Sequence, residues 1–226
     1  MNRFRISAFV LALSAAAATR ASGQVLGLPV ENAGVVSGLG LSLDGGLPND
    51  EAGGGHAFGA TAALGLGPLG VTARVSRFSP DIPALADPLW SAGATVNYKV
   101  FGGPLVPVAA TLQAGAGYSS DDSRCLSPGA CDISDWRFPI GLGVSLTIPN
   151  PALAIKPWIA PRIDVFRHSE DGVASTETDF GISGGVQLNL LTGLGLHATY
   201  DLMMSEPENR GIFGAGLHYN FRIPGL

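Results

Sequence analysis

Charge is scarce in this chain. Asp, Glu, Lys and Arg make up 14% of its 226 residues, about half the share usual in soluble domains. The net charge of −5 offers no basic field for phosphate, which argues against a nucleic-acid partner. Long apolar runs are missing too. Beyond the N-terminal segment no stretch reaches the ~18 apolar residues of a membrane-spanning helix, so a spanning helix is excluded there. Cysteine is limited to Cys125 and Cys131, within SDDSRCLSPGACDISD. That stretch holds no histidine and no second cysteine pair joins it, which disfavours a zinc site. No phosphate-cradling glycine loop and no metal-ligand spacing occurs, so no cofactor and no metal is expected. Glycine, by contrast, is abundant at 32 residues, and mean hydropathy is high at +0.30.

The start, MNRFRISAFVLALSAAAATRASGQ, has the parts of a secretory signal. Arg3 and Arg5 form a basic head, Ile6 to Ala18 an apolar core, and Ala21-Ser22-Gly23 a small-residue cleavage site. Residues 1–23 are therefore expected to be a signal peptide and 24–226 one domain. Losing Arg3, Arg5 and Arg20 takes the net charge from −5 to −8. No cysteine near the cleavage site offers a lipid anchor. Export also exposes Cys125 and Cys131 to an oxidising compartment, where a disulfide closing a small loop is expected.

What fills the rest is strict alternation. In the last segment Phe213, Ala215, Leu217, Tyr219 and Phe221 alternate with Gly214, Gly216, His218 and Asn220. This two-residue period marks a strand with one apolar face. Ten such segments follow one another, the first read as AGVVSGLGLSL with Val35 on the apolar face. Tight connections near Gly67-Pro68, 101–104, 149–151 and 191–193 alternate with longer polar ones at 44–54, 79–88, 119–135, 168–176 and 204–211. A soluble sandwich also alternates. Three features point instead to a membrane. The segments run about 10–14 residues, the length of a tilted membrane strand. The second face is Gly, Thr, Ser and Gln rather than Lys and Glu. Aromatics gather at segment ends: Phe58, Trp90, Tyr118, Trp136, Phe180 and Phe213 toward the loops, Tyr98, Tyr219 and Phe221 toward the turns. The expected fold is all-β, an up-and-down antiparallel transmembrane β-barrel of about ten strands, with eight as the alternative. Pro161 and Trp158 disturb the seventh segment, and a bulge between Pro157 and Pro161, or a misread strand, would account for both.

An export signal, alternating segments and an aromatic-alternating last strand resemble the small bacterial outer-membrane barrels of the opacity and attachment-invasion kind. The resemblance covers the whole mature chain as a pattern, without a sharp motif. It implies a monomer in the bacterial outer membrane, in contact with its lipid and lipopolysaccharide. It also implies delivery by the barrel-assembly machinery, which reads the final strand at Tyr219 and Phe221. Here Arg222 to Leu226 follow that phenylalanine, a departure from the usual ending.

The inner face carries Arg74, Arg137, Arg162, Asp164, Glu177, Asp179, His197 and Asp201. Charges in a narrow lumen must pair to offset desolvation, so these are expected to hold a polar lumen constricted. The inner glycines would leave gaps for the arginines to fill. Enzymatic chemistry finds little support. Phe166-Arg167-His168-Ser169-Glu170 faintly resembles the His-x-Ser stretch of lipid A deacylases, but the spacer is missing, so His168 and Ser169 would point to opposite faces. His197 and Asp201 share a face about 13 Å apart. Scattered acids in the long connections, Asp44 among them, read as solvation or as sites for divalent cations. The expected role is non-enzymatic: structural, surface-interacting, or a narrow passive solute path. An outer-membrane lipid-modifying enzyme is the alternative.

Overall fold

A computed structural model describes residues 24–81, 88–103, 106–120 and 133–221. The expected signal peptide, Cys125 with Cys131, and the residues after Phe221 lie outside the described residues. Ten long antiparallel strands close into a barrel: β1 (Gly38–Pro48), β2 (His56–Leu66), β3 (Leu69–Ser79), β4 (Leu89–Gly103), β5 (Val106–Ser120), β6 (Ile133–Leu146), β8 (Leu153–Glu170), β9 (Val173–Leu190), β10 (Leu194–Met204) and β11 (Arg210–Phe221). Between β6 and β8 lies β7 (Ile148–Pro149), a two-residue strand on β8. Each strand pairs with its sequence neighbour, and β1 pairs with β11 from Leu39↔Phe221 to Pro48↔Ile212. Closure leaves no unpaired edge.

The two-residue period decides which face points where. On β1, Leu41, Leu43 and Leu47 are exposed outward, while Gly40, Asp44 and Gly46 are buried inward. Phe58 and Trp90 near the loop end are each 64% exposed, and Tyr98, Phe101, Tyr219 and Phe221 form a second aromatic level near the turns. An 11-residue strand such as β1 or β2 is roughly 36 Å long, and tilted by ~40° it rises about 28 Å, close to the ~25 Å apolar band of a membrane barrel.

Four expectations are corrected. The first segment does not begin at Ala33. Residues 24–37 turn inward, and Val35 lies inside against Gly70 instead of on the apolar exterior. The supposed loop 168–176 is strand: β8 and β9 are 18 residues each and meet in a tight Asp171-Gly172 turn, both residues at positive φ. At this length the hairpin rises about 45 Å, well past the ~25 Å apolar band expected of a membrane barrel, and its exposed tip is mostly polar. Pro161 causes no bulge. Registers on both sides of β8 stay constant, and only the pairing to β6 is interrupted around Pro161 and Ala160. Trp158 is an ordinary inward residue, buried against Ala33 and Ala160. The irregular register lies in β4, between Lys99 and Gly103. Finally, Asp44 is not a loop acid. β1 runs on to Pro48 and carries Asp44 into the lumen.

Candidate functional site: the strapped lumen

The lumen is occupied by the chain's own N-terminal segment. Gln24 sits at mid-height, a turn closed by Leu28 N–H donating to the Val25 carbonyl lies near the loop end, and Pro29 to Ser37 descend to the turn end and enter β1. Val25, Leu28 and Val30 are no more than 1% exposed. Val25 and Leu28 pack with Ala57, Phe78 and Leu89 as an apolar cap beneath the loops. Polar wall residues hold the strap's backbone: Ser91 accepts from Leu26 N–H at 2.7 Å, Ser76 donates to the Leu26 carbonyl and Gln113 donates to the Glu31 carbonyl, while the strap's own Asn32 side chain donates to the Thr111 carbonyl of the wall.

Wall glycines make this possible. A Cβ at Gly46 would collide with the Gly27 carbonyl, at Gly117 with the Gln24 carbonyl and at Gly65 with the Val36 carbonyl. Gly214 makes way for Pro29 and Gly143 for Asn32. The gaps therefore admit the strap far more than they admit arginines. Gly181 is the clearest exception, lying against the Arg162 guanidinium and Asp164.

Two charge networks brace strap and wall. In the first, Asp164 is fully buried and accepts from Arg137 Nε at 2.9 Å and Arg162 Nε at 2.8 Å. Arg162 also donates to Asp201 at 2.6 Å, and Asp201 accepts from Val30 N–H of the strap at 3.0 Å. Arg137 lies over the Phe166 ring at 5.0 Å. In the second, Arg74 donates to the Pro29 carbonyl at 2.8 Å and pairs with Glu31 at 3.0 Å. His197 faces Glu31 and Asp44 in this second network.

The structure thus brings Arg137, Arg162, Asp164 and Asp201 together, and joins Arg74 and His197 through Glu31 and Asp44. Glu177 does not enter the lumen and is exposed on the protruding part of β9, while Asp179 accepts from Ser205 at 3.0 Å. Tyr219 and Phe221 pack edge to face at the turn end, centroids 4.5 Å apart. His168 is no free loop histidine. Its Nδ1 lies 2.6 Å from Asp135 across the β6–β8 pair at the outer rim. Glu31 has no precedent in the sequence pattern, and Asp44 could have been placed by parity, since Leu43 and Leu47 fix the outward face.

No family model and no curated protein matches this chain. It is similar to solved small outer-membrane barrels. One is the N-terminal barrel domain of OprF from Pseudomonas aeruginosa, 12% identical over 82% of this chain and 98% of that one, TM-score 0.40. Another is Ail, the attachment invasion locus protein of Yersinia pestis, 11% identical over 82% and 100%, TM-score 0.37. A third is the outer membrane enzyme PagL, 11% identical over 80% and 99%, TM-score 0.39. None of them supplies a residue role for this chain.

Proposed function

We propose that this chain is a bacterial outer-membrane barrel closed by its own N-terminal strap, with a non-enzymatic, structural or surface-interacting role. The observation that carries this reading is the strap itself. A segment with three side chains at or below 1% exposure, tied by Arg74, Asp201 and Gln113 to three different strands, blocks a through-path. Ten strands leave only slightly more room than the ~8 whose lumen side chains alone fill, so one extended segment suffices to fill it. The apolar exterior between two aromatic levels supports a bilayer as the outer solvent, because closed barrels can cross one with every backbone group paired. The polar β8–β9 hairpin then stands as the most prominent surface feature, and the lipid and lipopolysaccharide around the rim are the partners its position supports.

The lipid-modifying reading draws less support. Asp135 and His168 provide the orienting half of a hydrolase set, but Ser169, next in the strand, points to the opposite face. Membrane fractionation and lipid A acyl analysis test the proposal together. The chain is expected in the outer membrane with heat-modifiable migration, and overexpression is expected to leave the acyl pattern unchanged. Acyl loss that disappears in His168→Ala or His197→Ala would contradict it.

A further inference from the structure

At mid-lumen the second network has a feature that ion pairing alone does not explain. His197 Nε2 and Asp44 Oδ1 are buried and 3.0 Å apart, yet neither makes a hydrogen bond. Glu31 Oε1 lies 3.4 Å from the same nitrogen. All three atoms fall within 4.8 Å of one another. We propose that Glu31, Asp44 and His197 bind a zinc-class divalent cation that staples the strap to the barrel wall. The proposal rests on the strap lying in the lumen, and it adds a ligand chemistry to that arrangement.

The geometry fits such an ion. Ligands at ~2.0–2.1 Å around a tetrahedral zinc stand about 3.3 Å apart, close to the two separations here. The remaining oxygens are already committed elsewhere. Glu31 Oε2 takes Arg74 at 3.0 Å, while Asp44 Oδ2 accepts from Thr61 at 2.7 Å and Ser42 at 3.1 Å. That leaves Oδ1, and Oε1 apart from a long 3.5 Å bond from Thr199, turned toward His197, as outer partners orient ligands in metal sites.

The far side of the imidazole points the same way. His218 Nε2 lies 2.8 Å from Asn189 Oδ1, which can only accept, so Nε2 of His218 carries the hydrogen. A neutral His218 then accepts at Nδ1, 3.3 Å from Nδ1 of His197. His197 therefore carries its hydrogen on Nδ1 and presents the Nε2 lone pair to the two carboxylates. Two carboxylates and the Arg74 guanidinium leave one net negative charge around that lone pair, which a divalent cation or a proton can take up. One imidazole and two carboxylate oxygens suit zinc and its borderline neighbours over calcium, which takes oxygen ligands alone. The adjoining cavity of about 110 Å³, bordered by Ser42, Thr61 and His218, has room for a water as fourth ligand.

The test is binding of Zn²⁺ to the refolded full-length mature barrel, followed by calorimetry, with Co²⁺ absorption as the reporter of geometry. One equivalent is expected, with Co²⁺ bands of a four- or five-coordinate nitrogen–oxygen site. Glu31→Gln and His197→Gln should each weaken binding about a hundredfold, and His218→Gln about tenfold. His168→Gln, which removes the rim histidine–carboxylate pair, should leave it unchanged. Heat-modifiable migration confirms folding of each variant. Glu31 lies on the strap and not in the sheet, so Glu31→Gln carries the test if His197→Gln does not fold. Absence of stoichiometric binding would show that a proton fills the site and would overturn the proposal, as would full affinity in Glu31→Gln. Failure of the closed-barrel reading registers separately, as conductance measured without added metal.

Discussion

Arg162 touches carboxylates on two strands, Asp164 beside it on β8 and Asp201 on β10, with side-chain exposures of 2% or less throughout. Its charge cannot be removed without leaving a buried carboxylate unbalanced. Arg162→Ala is expected to lower the unfolding free energy by about 3–5 kcal/mol, the cost of breaking a buried pair from one side. Equilibrium urea unfolding in lipid measures this, and a loss below about 1 kcal/mol contradicts it. His168→Ala, which removes a partly exposed rim pair with Asp135, is expected to cost no more than about 1 kcal/mol. At this scale Arg137, Arg162, Asp164 and Asp201 were legible, because alternation assigns each to the inner face regardless of what it meets there. Their partners were only partly so. Asp44 was hidden by the turn-like Asp44-Gly45-Gly46, which reads as the end of a strand. Glu31 was hidden because nothing in the sequence marks the strap as lumenal.

The elements divide by whether their surroundings repeat. Strands with an apolar outer face and a lumen-facing inner one must alternate, so most of the ten were recognisable. The tip of the β8–β9 hairpin is exposed on both faces, so His168 to Thr176 lose the alternation and read as loop. The strap has no period at all. Its complement is a set of glycines spread over β1, β2, β5, β6 and β11, close in space and far apart in sequence. Filling one of those seats should unseat it. In a chain carrying Cys125→Ser, Cys131→Ser and Val30→Cys, the new thiol is expected to resist a membrane-impermeant maleimide on the folded barrel. Adding Gly117→Val and Gly214→Val should make it react at least tenfold faster. Rapid labelling without the glycine changes contradicts the strap's burial. The connection between β5 and β6 carries its own expectation. Cys125 and Cys131 should be joined in the exported protein, so alkylation without reductant should add no mass, and two modified thiols would refute the pairing.

For the whole molecule, the central claim is that a ten-stranded wall and a strap from the same chain make a closed body. The strap's apolar cap bears on the neighbouring strands β2, β3 and β4, one charge network joins β6, β8 and β10, and the other reaches across the lumen from β3 to β1 and β10, so together the lumen contacts engage most of the wall. Planar-bilayer conductance of the refolded mature protein tests this most directly, comparing the full chain with one lacking residues 24–36. The full chain is expected to show no steady current and the shortened one a small ohmic channel. Large stable channels from the full chain, or a shortened chain as silent as the full one, would contradict the account.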